Sequence, residues 1–249
     1  MSPELLHYSL YFFLTFVLST VFSMGGAGAA IALVPLFSLL GMPLDLAKTV
    51  GLFINATSTI TASVMNFLRG VLDMRFALPL VISVLVATPT GAMLSRYVPQ
   101  TIVQWILVAF LIISALLMIF TKREAKVAYD KIWVMLVLGG AVGLISGLIG
   151  VGGGSPMLAV LVLLGFEAKK AAYAVSFVIP FSSVGGFVTY LGFVQMDWTL
   201  LAVVSLAGIL GGYLGDRIMH YRLTPGQVKK LIAVLLLGLA AQMIWKLIL

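Results

Sequence analysis

The 249-residue sequence contains no cysteine, and only 9% of its residues are charged. Without cysteine the chain has no disulfides, no thiolate metal ligands and no thiol relay. Soluble domains carry about 25% charged residues, whereas here 62% of the residues are hydrophobic. The composition therefore excludes an ordinary soluble domain and indicates a polytopic membrane protein, for which we expect no cofactor and a partner in membrane lipid.

The formal charge of +7 does not indicate a nucleic-acid partner. The lysines and arginines stand in short connections beside apolar segments, where they are typical signals of membrane orientation. Six charge-free segments of ordinary length predict spanning helices. They cover residues 49–68, 76–95, 97–121, 171–196, 198–215 and 231–245.

Two further apolar runs are too long for one crossing. Residues 5–44 and 132–166 form uncharged runs of 40 and 35 residues, whereas one crossing needs about 20. Each run contains a glycine cluster, Gly25-Gly26-Ala27-Gly28 in the first and Gly152-Gly153-Gly154-Ser155 in the second. Irregular backbone at membrane depth is tolerated only where protein buries it or where it lines a wet cavity. The clusters therefore predict helix breaks at a site inside the bilayer.

The chain reads as a duplication, with a first repeat at residues 1–121, a linker at 122–131 and a second repeat at 132–249. Gly25 and Gly26 pair with Gly152 and Gly153 at a spacing of 127 residues. Further pairs at a spacing of 124 are Gly41 and Gly165, Phe53 and Phe177, Ser58 and Ser182, and Asp73 and Asp197. Chance matches in a low-complexity apolar chain remain the alternative explanation.

Basic residues favour one topology. If each long run returns to its own side of the membrane, 12 basic residues face the cytoplasm and only Lys48, Arg96 and Lys246 face outside, as the positive-inside rule requires. Each half then crosses three times, so the halves are inverted and both termini lie outside. The predicted fold is all-α, with two inverted repeats that each contain a glycine-broken, re-entrant helical hairpin and three transmembrane helices.

Two helix N-termini that meet at the breaks would bind an anion, because they present free N–H groups and partial positive charge. The absence of a fixed lysine or arginine at depth would keep such binding reversible. The candidate substrate-binding residues are Gly25, Gly26, Gly28, Asn55, Ser58, Gly152, Gly153, Gly154, Ser155, Ser182 and Ser183. The alternatives are that the glycines permit close helix packing and that the hydroxyls bind neighbouring helices.

Asp73 and Asp197 each begin a helix, where a carboxylate caps the N-terminus; proton coupling is their alternative role. The sequence favours a transporter of a small anion that works by alternating access. A passive anion channel remains the main alternative. An intramembrane enzyme is disfavoured, since serine and threonine are abundant at membrane depth but no histidine, lysine or aspartate is expected there to activate them. A homodimer is compatible with the sequence.

These features resemble the TauE/SafE sulfite exporter family of small bacterial membrane proteins. The resemblance extends over nearly the whole chain. It includes the duplicated body, the glycines of IGVGGGSPML at residues 149–158 and the GFVQMDW stretch at residues 192–198. It implies transport of sulfite, sulfonates or related organosulfur anions across the bacterial inner membrane.

The topology can be tested by cysteine labelling, because the chain has no native cysteine. We expect an impermeant thiol reagent, added to intact cells, to label single cysteines placed at Gln100 and Leu249 but not one placed at Lys126. Permeabilised cells provide the control, since all three sites should then react. Labelling of the Lys126 site from outside would contradict the inverted arrangement.

Overall fold

The computed structural model describes residues 3–24, 28–68, 70, 72–120, 131–221 and 225–248. All secondary structure in these ranges is helical, and ten helices are formed. In chain order they are α1 (Pro3–Met24), α2 (Ala30–Leu39), α3 (Leu44–Leu68), α4 (Met74–Leu94), α5 (Gln100–Phe120), α6 (Ile132–Ile149), α7 (Gly154–Leu163), α8 (Ala168–Leu191), α9 (Trp198–Tyr221) and α10 (Pro225–Ile248). The all-α prediction is confirmed.

Within the described ranges, seven helices are long and apolar enough to cross a membrane. These are α1, α4, α5, α6, α8, α9 and α10. Helix α3 forms at the predicted place and is 25 residues long, but it is not among the seven because amide and hydroxyl side chains lower its mean hydropathy. Helices α2 and α7 have only 10 residues each, about 15 Å of helix in a hydrocarbon core about 30 Å thick. The chain is a multi-pass membrane protein.

The first helix of each half packs against the fourth helix of the other half through small residues. Along α6, Gly139 lies against Leu80 of α4, and Gly147 lies against the backbone of Thr88. Along α9, Gly211 and Gly215 lie in the same way against the backbone of α1 near Thr20. Small residues let helix backbones approach closely in lipid. The order of these contacts shows that both pairs are parallel.

Helices α3 and α8 cross antiparallel at the centre. Phe53 of α3 stacks on Phe187 of α8, with ring centroids 4.7 Å apart. Thirteen residues further along α3, the Asn66 amide donates to the Ser176 hydroxyl at 3.0 Å, towards the other end of α8. Helix α3 also runs parallel to α9, since Ile54 and Ser58 meet Gly208 and Gly212. Helices α1 and α3 therefore run in the same direction, with α2 between them in the chain.

Contacts between two helices have counterparts between the equivalent helices of the other half. The matching pairs are α1–α9 and α4–α6, α2–α3 and α7–α8, α3–α9 and α4–α8, and α2–α10 and α5–α7. Helices α2 and α7 begin 124 residues apart, and Gly28 and Gly152 share a φ of 72°. Equivalent residues of the two breaks are therefore 124 positions apart, with Gly28 matching Gly152. The spacing of 127, which pairs Gly25 with Gly152, does not describe this part of the structure.

The close approach of α4 and α6 predicts the outcome of a matched pair of substitutions. A Cβ at Gly147 would lie 2.1 Å from the carbonyl oxygen of Thr88, whereas a Cβ at Gly140 meets nothing within 4 Å. Gly147→Ala should destabilise the protein by about 1–3 kcal/mol through overpacking, and Gly140→Ala should not. Thermal unfolding in detergent, followed by tryptophan fluorescence, measures both. Equal midpoints for the two variants would contradict this packing.

Candidate functional site

Each short helix begins at a backbone break that needs glycine. In the second half, Gly150 ends α6 and Gly153 precedes α7, and both have the left-handed φ that glycine adopts without strain. The N–H groups of Gly150 and Val151 both donate to the carbonyl of Ser146. In the first half Gly28 has a φ of 72°, but Ala29, directly before α2, is right-handed. The two breaks therefore differ in detail.

Some predicted site residues cannot be placed. Gly25 and Gly26 lie outside the described residues, and so does the side chain of Ser155. Gly154 is the first residue of α7. Gly153 packs against Ser146 and Val142 of α6, so a side chain at Gly153 would press on the helix that precedes the break. Gly28 and Gly152, one from each break, each lie against a side chain of α3.

Both glycines contact one side chain, the amide of Asn55. A Cβ added to Gly28 would lie 2.1 Å from Asn55 Oδ1, and a Cβ added to Gly152 would lie 2.4 Å from Asn55 Nδ2. Asn55 is fully buried, in the middle of α3. The amide is therefore held between the break of the first half and the break of the second, and neither glycine has room for a side chain.

Hydrogen bonds fix the Asn55 amide in this place. Asn55 Oδ1 accepts from the backbone N–H of Ala30, the first residue of α2, at 3.4 Å. Asn55 Nδ2 donates to Ser183 Oγ of α8 at 2.9 Å. The oxygen thus lies at the N-terminus of α2, where N–H groups have no partner within the helix and the dipole is positive. One amide joins α2, α3 and α8.

Ser58 and Ser182 face away from this amide. Ser58 Oγ donates back to the Asn55 carbonyl at 3.3 Å, and its Cβ faces Gly212 of α9. Ser182 Oγ lies 3.0 Å from Thr88 Oγ1 of α4. Ser58 and Ser182 thus lie at equivalent helix contacts in the two halves, α3 with α9 and α8 with α4. Of the four polar residues predicted on α3 and α8, the structure brings together Asn55 and Ser183.

A lysine that we expected at the outer surface is buried instead. Lys48, on α3, is fully buried, and its stem packs against Gly150 at the start of the second break. Lys48 Nζ donates to Asp45 Oδ1 at 2.9 Å and to Ser95 Oγ at 2.7 Å. The sequence predicts no fixed lysine or arginine at membrane depth, whereas Lys48 lies one turn from the start of α3 and next to the second break. An acidic residue three positions before a lysine in an otherwise apolar helix was the available signal.

Asp73 and Asp197 have the geometry of N-caps. Asp197 Oδ1 accepts from the N–H groups of Thr199 and Leu200, both at 3.0 Å. Asp73 Oδ1 accepts from those of Arg75 and Phe76. Asp73 also pairs with Lys170 at 2.7 Å. That hydrogen bond and the charge of Lys170, with the two backbone donors, hold the pKa of Asp73 below its ordinary value.

A groove of about 800 Å³ lies at the surface of α3, α4 and α8. Apolar side chains line most of it, among them Ile60, Val64, Val184 and Val188, which are all exposed. Such a surface suits lipid chains, and it offers an anion few hydrogen-bond donors. We therefore place the candidate site at the breaks and not in this groove.

The architecture is that of a multi-pass helical membrane protein with two helix breaks held together at its centre. The chain belongs to the sulfite exporter TauE/SafE family, whose family model matches residues 11–243. It is similar to the probable membrane transporter protein YdhB of Bacillus subtilis, with 26% identity over 84% of this chain and 87% of that protein. It is also similar to the probable membrane transporter protein ORF9 of Sinorhizobium sp, with 27% identity over 94% and 90%.

A third relative, a probable membrane transporter protein of Haemophilus influenzae, is 23% identical over 95% of this chain and 94% of its own. No solved structure matches the chain. The family and these relatives identify a membrane transporter and not an enzyme.

The lowered pKa of Asp73 predicts how stability depends on pH. A carboxylate with a depressed folded-state pKa stabilises the fold above its unfolded pKa, near 4, and loses that contribution as the pH falls through the lower folded value. Asp73→Asn should lower the unfolding midpoint at pH 7, and its difference from wild type should shrink below about pH 4. The effect should be small, because both side chains of the pair are 41% exposed.

Lys170→Gln serves as the matched variant, since it removes the same ion pair and should show the same loss at pH 7. A difference between wild type and Asp73→Asn that persists unchanged to pH 3 would contradict the assignment. If Asp73→Asn unfolds like wild type but loses proton-driven transport, Asp73 is a coupling residue instead of a cap.

Proposed function

We propose that this protein moves a small anion across the membrane by alternating access around the two glycine breaks. The observation that carries the proposal is the convergence of Gly28 and Gly152, from opposite halves, on the buried amide of Asn55. In lipid, irregular backbone is tolerated where it is buried in protein or lines a path for substrate. Two breaks at one point favour a substrate site there.

The chemistry of the breaks favours an anion. Helix α2 directs its first N–H groups and the positive end of its dipole towards Asn55, and Gly152 places the second break against the same amide. Glycine lets a ligand approach the backbone closely. Oxyanions accept stronger hydrogen bonds than an amide oxygen does. An oxyanion would therefore replace Asn55 Oδ1 as the acceptor at the N-terminus of α2. The amide of Asn55 would then turn so that its Nδ2 donates to the anion, with the hydroxyl of Ser183 as a further donor.

The helix directions support two inverted repeats with re-entrant hairpins. Helices α1 and α3 are parallel, so the segment that contains α2 must return the chain towards the side where α1 began. Tyr11 of α1 and Phe37 of α2 have ring centroids 4.9 Å apart, which places the end of α2 beside the first half of α1. Helices α6 and α8 both run parallel to α4. A pseudo-two-fold axis through the antiparallel α3–α8 pair would relate the two halves.

The family description favours sulfite, a sulfonate or another organosulfur anion as the substrate. A passive channel could use the same helix ends, and counterflow separates it from a transporter. The distribution of basic residues, with 12 on the proposed cytoplasmic side and 3 outside, favours external termini in a bacterial inner membrane. Membrane lipid and a second copy of the chain are the further partners we propose.

Two asparagines of α3 offer a matched test of the site. Asn55 and Asn66 each donate to a serine of α8, at 2.9 and 3.0 Å, but only Asn55 contacts the breaks. Asn55→Ala should weaken binding of the anion about 10- to 100-fold, because hydrogen bonds to charged groups contribute about 1.5–3 kcal/mol. Asn66→Ala should bind like wild type. Binding is measured in detergent, and counterflow in proteoliposomes, with sulfite, sulfoacetate, thiosulfate, sulfate and short carboxylates.

Comparing Gly152→Ala with Gly41→Ala separates the effect of backbone strain from the effect of steric obstruction of the site. Both glycines have a positive φ, but a Cβ at Gly41 meets nothing within 4 Å, whereas one at Gly152 meets Asn55 and Ser183. Only Gly152→Ala should lose binding beyond what its unfolding midpoint explains. If folded Asn55→Ala and Gly152→Ala proteins keep full affinity, the substrate site lies elsewhere. Flux without saturation or counterflow would favour the channel.

A further inference from the structure

Lys48 is a buried cation whose position the proposed anion site does not require. Its side chain is only 1% exposed, although it lies one turn from the start of α3. Burying an ammonium group is costly unless partners compensate for its lost hydration. The residue at the equivalent position of the second half, 124 residues later, is Ala172. The fold fills this position without a charge in one half, so packing alone does not explain Lys48.

The partners of Lys48 connect it to the protein surface. Asp45 accepts one of its N–H bonds, Ser95 accepts another, and its Nζ lies 5.5 Å from the centre of the Tyr190 ring. Asp45 is the exposed member of the pair, with 30% of its side chain accessible. The second oxygen of Asp45 accepts from Gln100 at 3.4 Å. Of the charged groups described around Lys48, Asp45 alone holds its ammonium group.

The second break joins Lys48 to the proposed substrate site. Lys48 and Asn55 are seven residues apart on α3, so they share one face of the helix and are separated by about 10 Å along its axis. Gly150 lies against the stem of Lys48, and Gly152 lies against the amide of Asn55. The backbone from Gly150 to Gly152 therefore runs along α3 from the stem of Lys48 to the buried amide of Asn55.

We propose that Lys48 forms an anion subsite between Asn55 and the membrane surface where Asp45 lies. The substrate anion exchanges with the carboxylate of Asp45 as the partner of the ammonium group, and then passes along the second break to Asn55. This inference rests on the proposed function. Only the first half carries such a subsite, because Ala172 occupies the equivalent position of the second half. While no substrate is bound, the carboxylate of Asp45 compensates the charge of Lys48. The buried lysine is therefore never left unpaired.

Charge-neutralising variants of both partners test the exchange. The assay is equilibrium binding, in detergent, of radiolabelled sulfite or of the panel anion that wild type binds most tightly. Lys48→Gln should weaken binding at least tenfold, and Lys48→Arg should lose less. Asp45→Asn should strengthen binding at least threefold, because it removes the competing carboxylate. Lys246→Gln is the control, since Lys246 is exposed near the same surface and donates to the carbonyl of Ser38.

The double variant Asp45→Asn with Lys48→Gln separates a binding role from a structural one. It leaves no unpaired charge, so its unfolding midpoint should recover towards wild type, while its affinity should stay as weak as that of Lys48→Gln. If affinity recovers together with stability, or if folded Lys48→Gln binds like wild type, the subsite is wrong. The proposed function then still stands, provided that Asn55→Ala loses binding. If wild type binds no anion of the panel, both proposals fail together.

Discussion

The amide of Asn55 is the contact on which the centre of this transporter depends. It fills the space between two stretches of irregular backbone, accepts from the start of α2 and donates to Ser183 of α8. An amide suits this place because it is both donor and acceptor and carries no charge that burial would penalise. The glycines on either side have no room for a Cβ. The two breaks and their amide therefore form one interdependent unit.

The rest of the fold surrounds this unit, because helices of one half pack against helices of the other. Helix α1 packs on α9, and α6 packs on α4, through glycines that bring the backbones into contact. Neither half encloses its own break alone, because α3 of one half and α8 of the other supply the two sides of the central crossing. Close packing, and not hydrophobic burial, drives such contacts in lipid. The apolar outer faces are left for the membrane.

The arrangement is not fully symmetric, and its asymmetries concern charge and backbone. Lys48 and Asp45 stand at one end of α3, while the other end carries the neutral pair of Asn66 and Ser176. The second break contains three glycines of positive φ, whereas Ala29 stands at the corresponding place in the first. The two ends of α3 therefore offer different electrostatic surroundings, one charged and one neutral.

The sequence by itself determined the class of protein, the positions of the helices and the two breaks, because run length, charge and glycine content act locally along the chain. It also indicated Asn55 and Ser183, since polar residues stand out in apolar helices. Only the tertiary structure decided which polar residues meet. Ser58 and Ser182 face α9 and α4, and Lys48 is buried, because helix rotation and the partners across the α3–α8 crossing set each environment. The contacts of Asn55 with Ser183 and of Thr88 with Ser182 join residues more than 90 positions apart, and no local pattern records them.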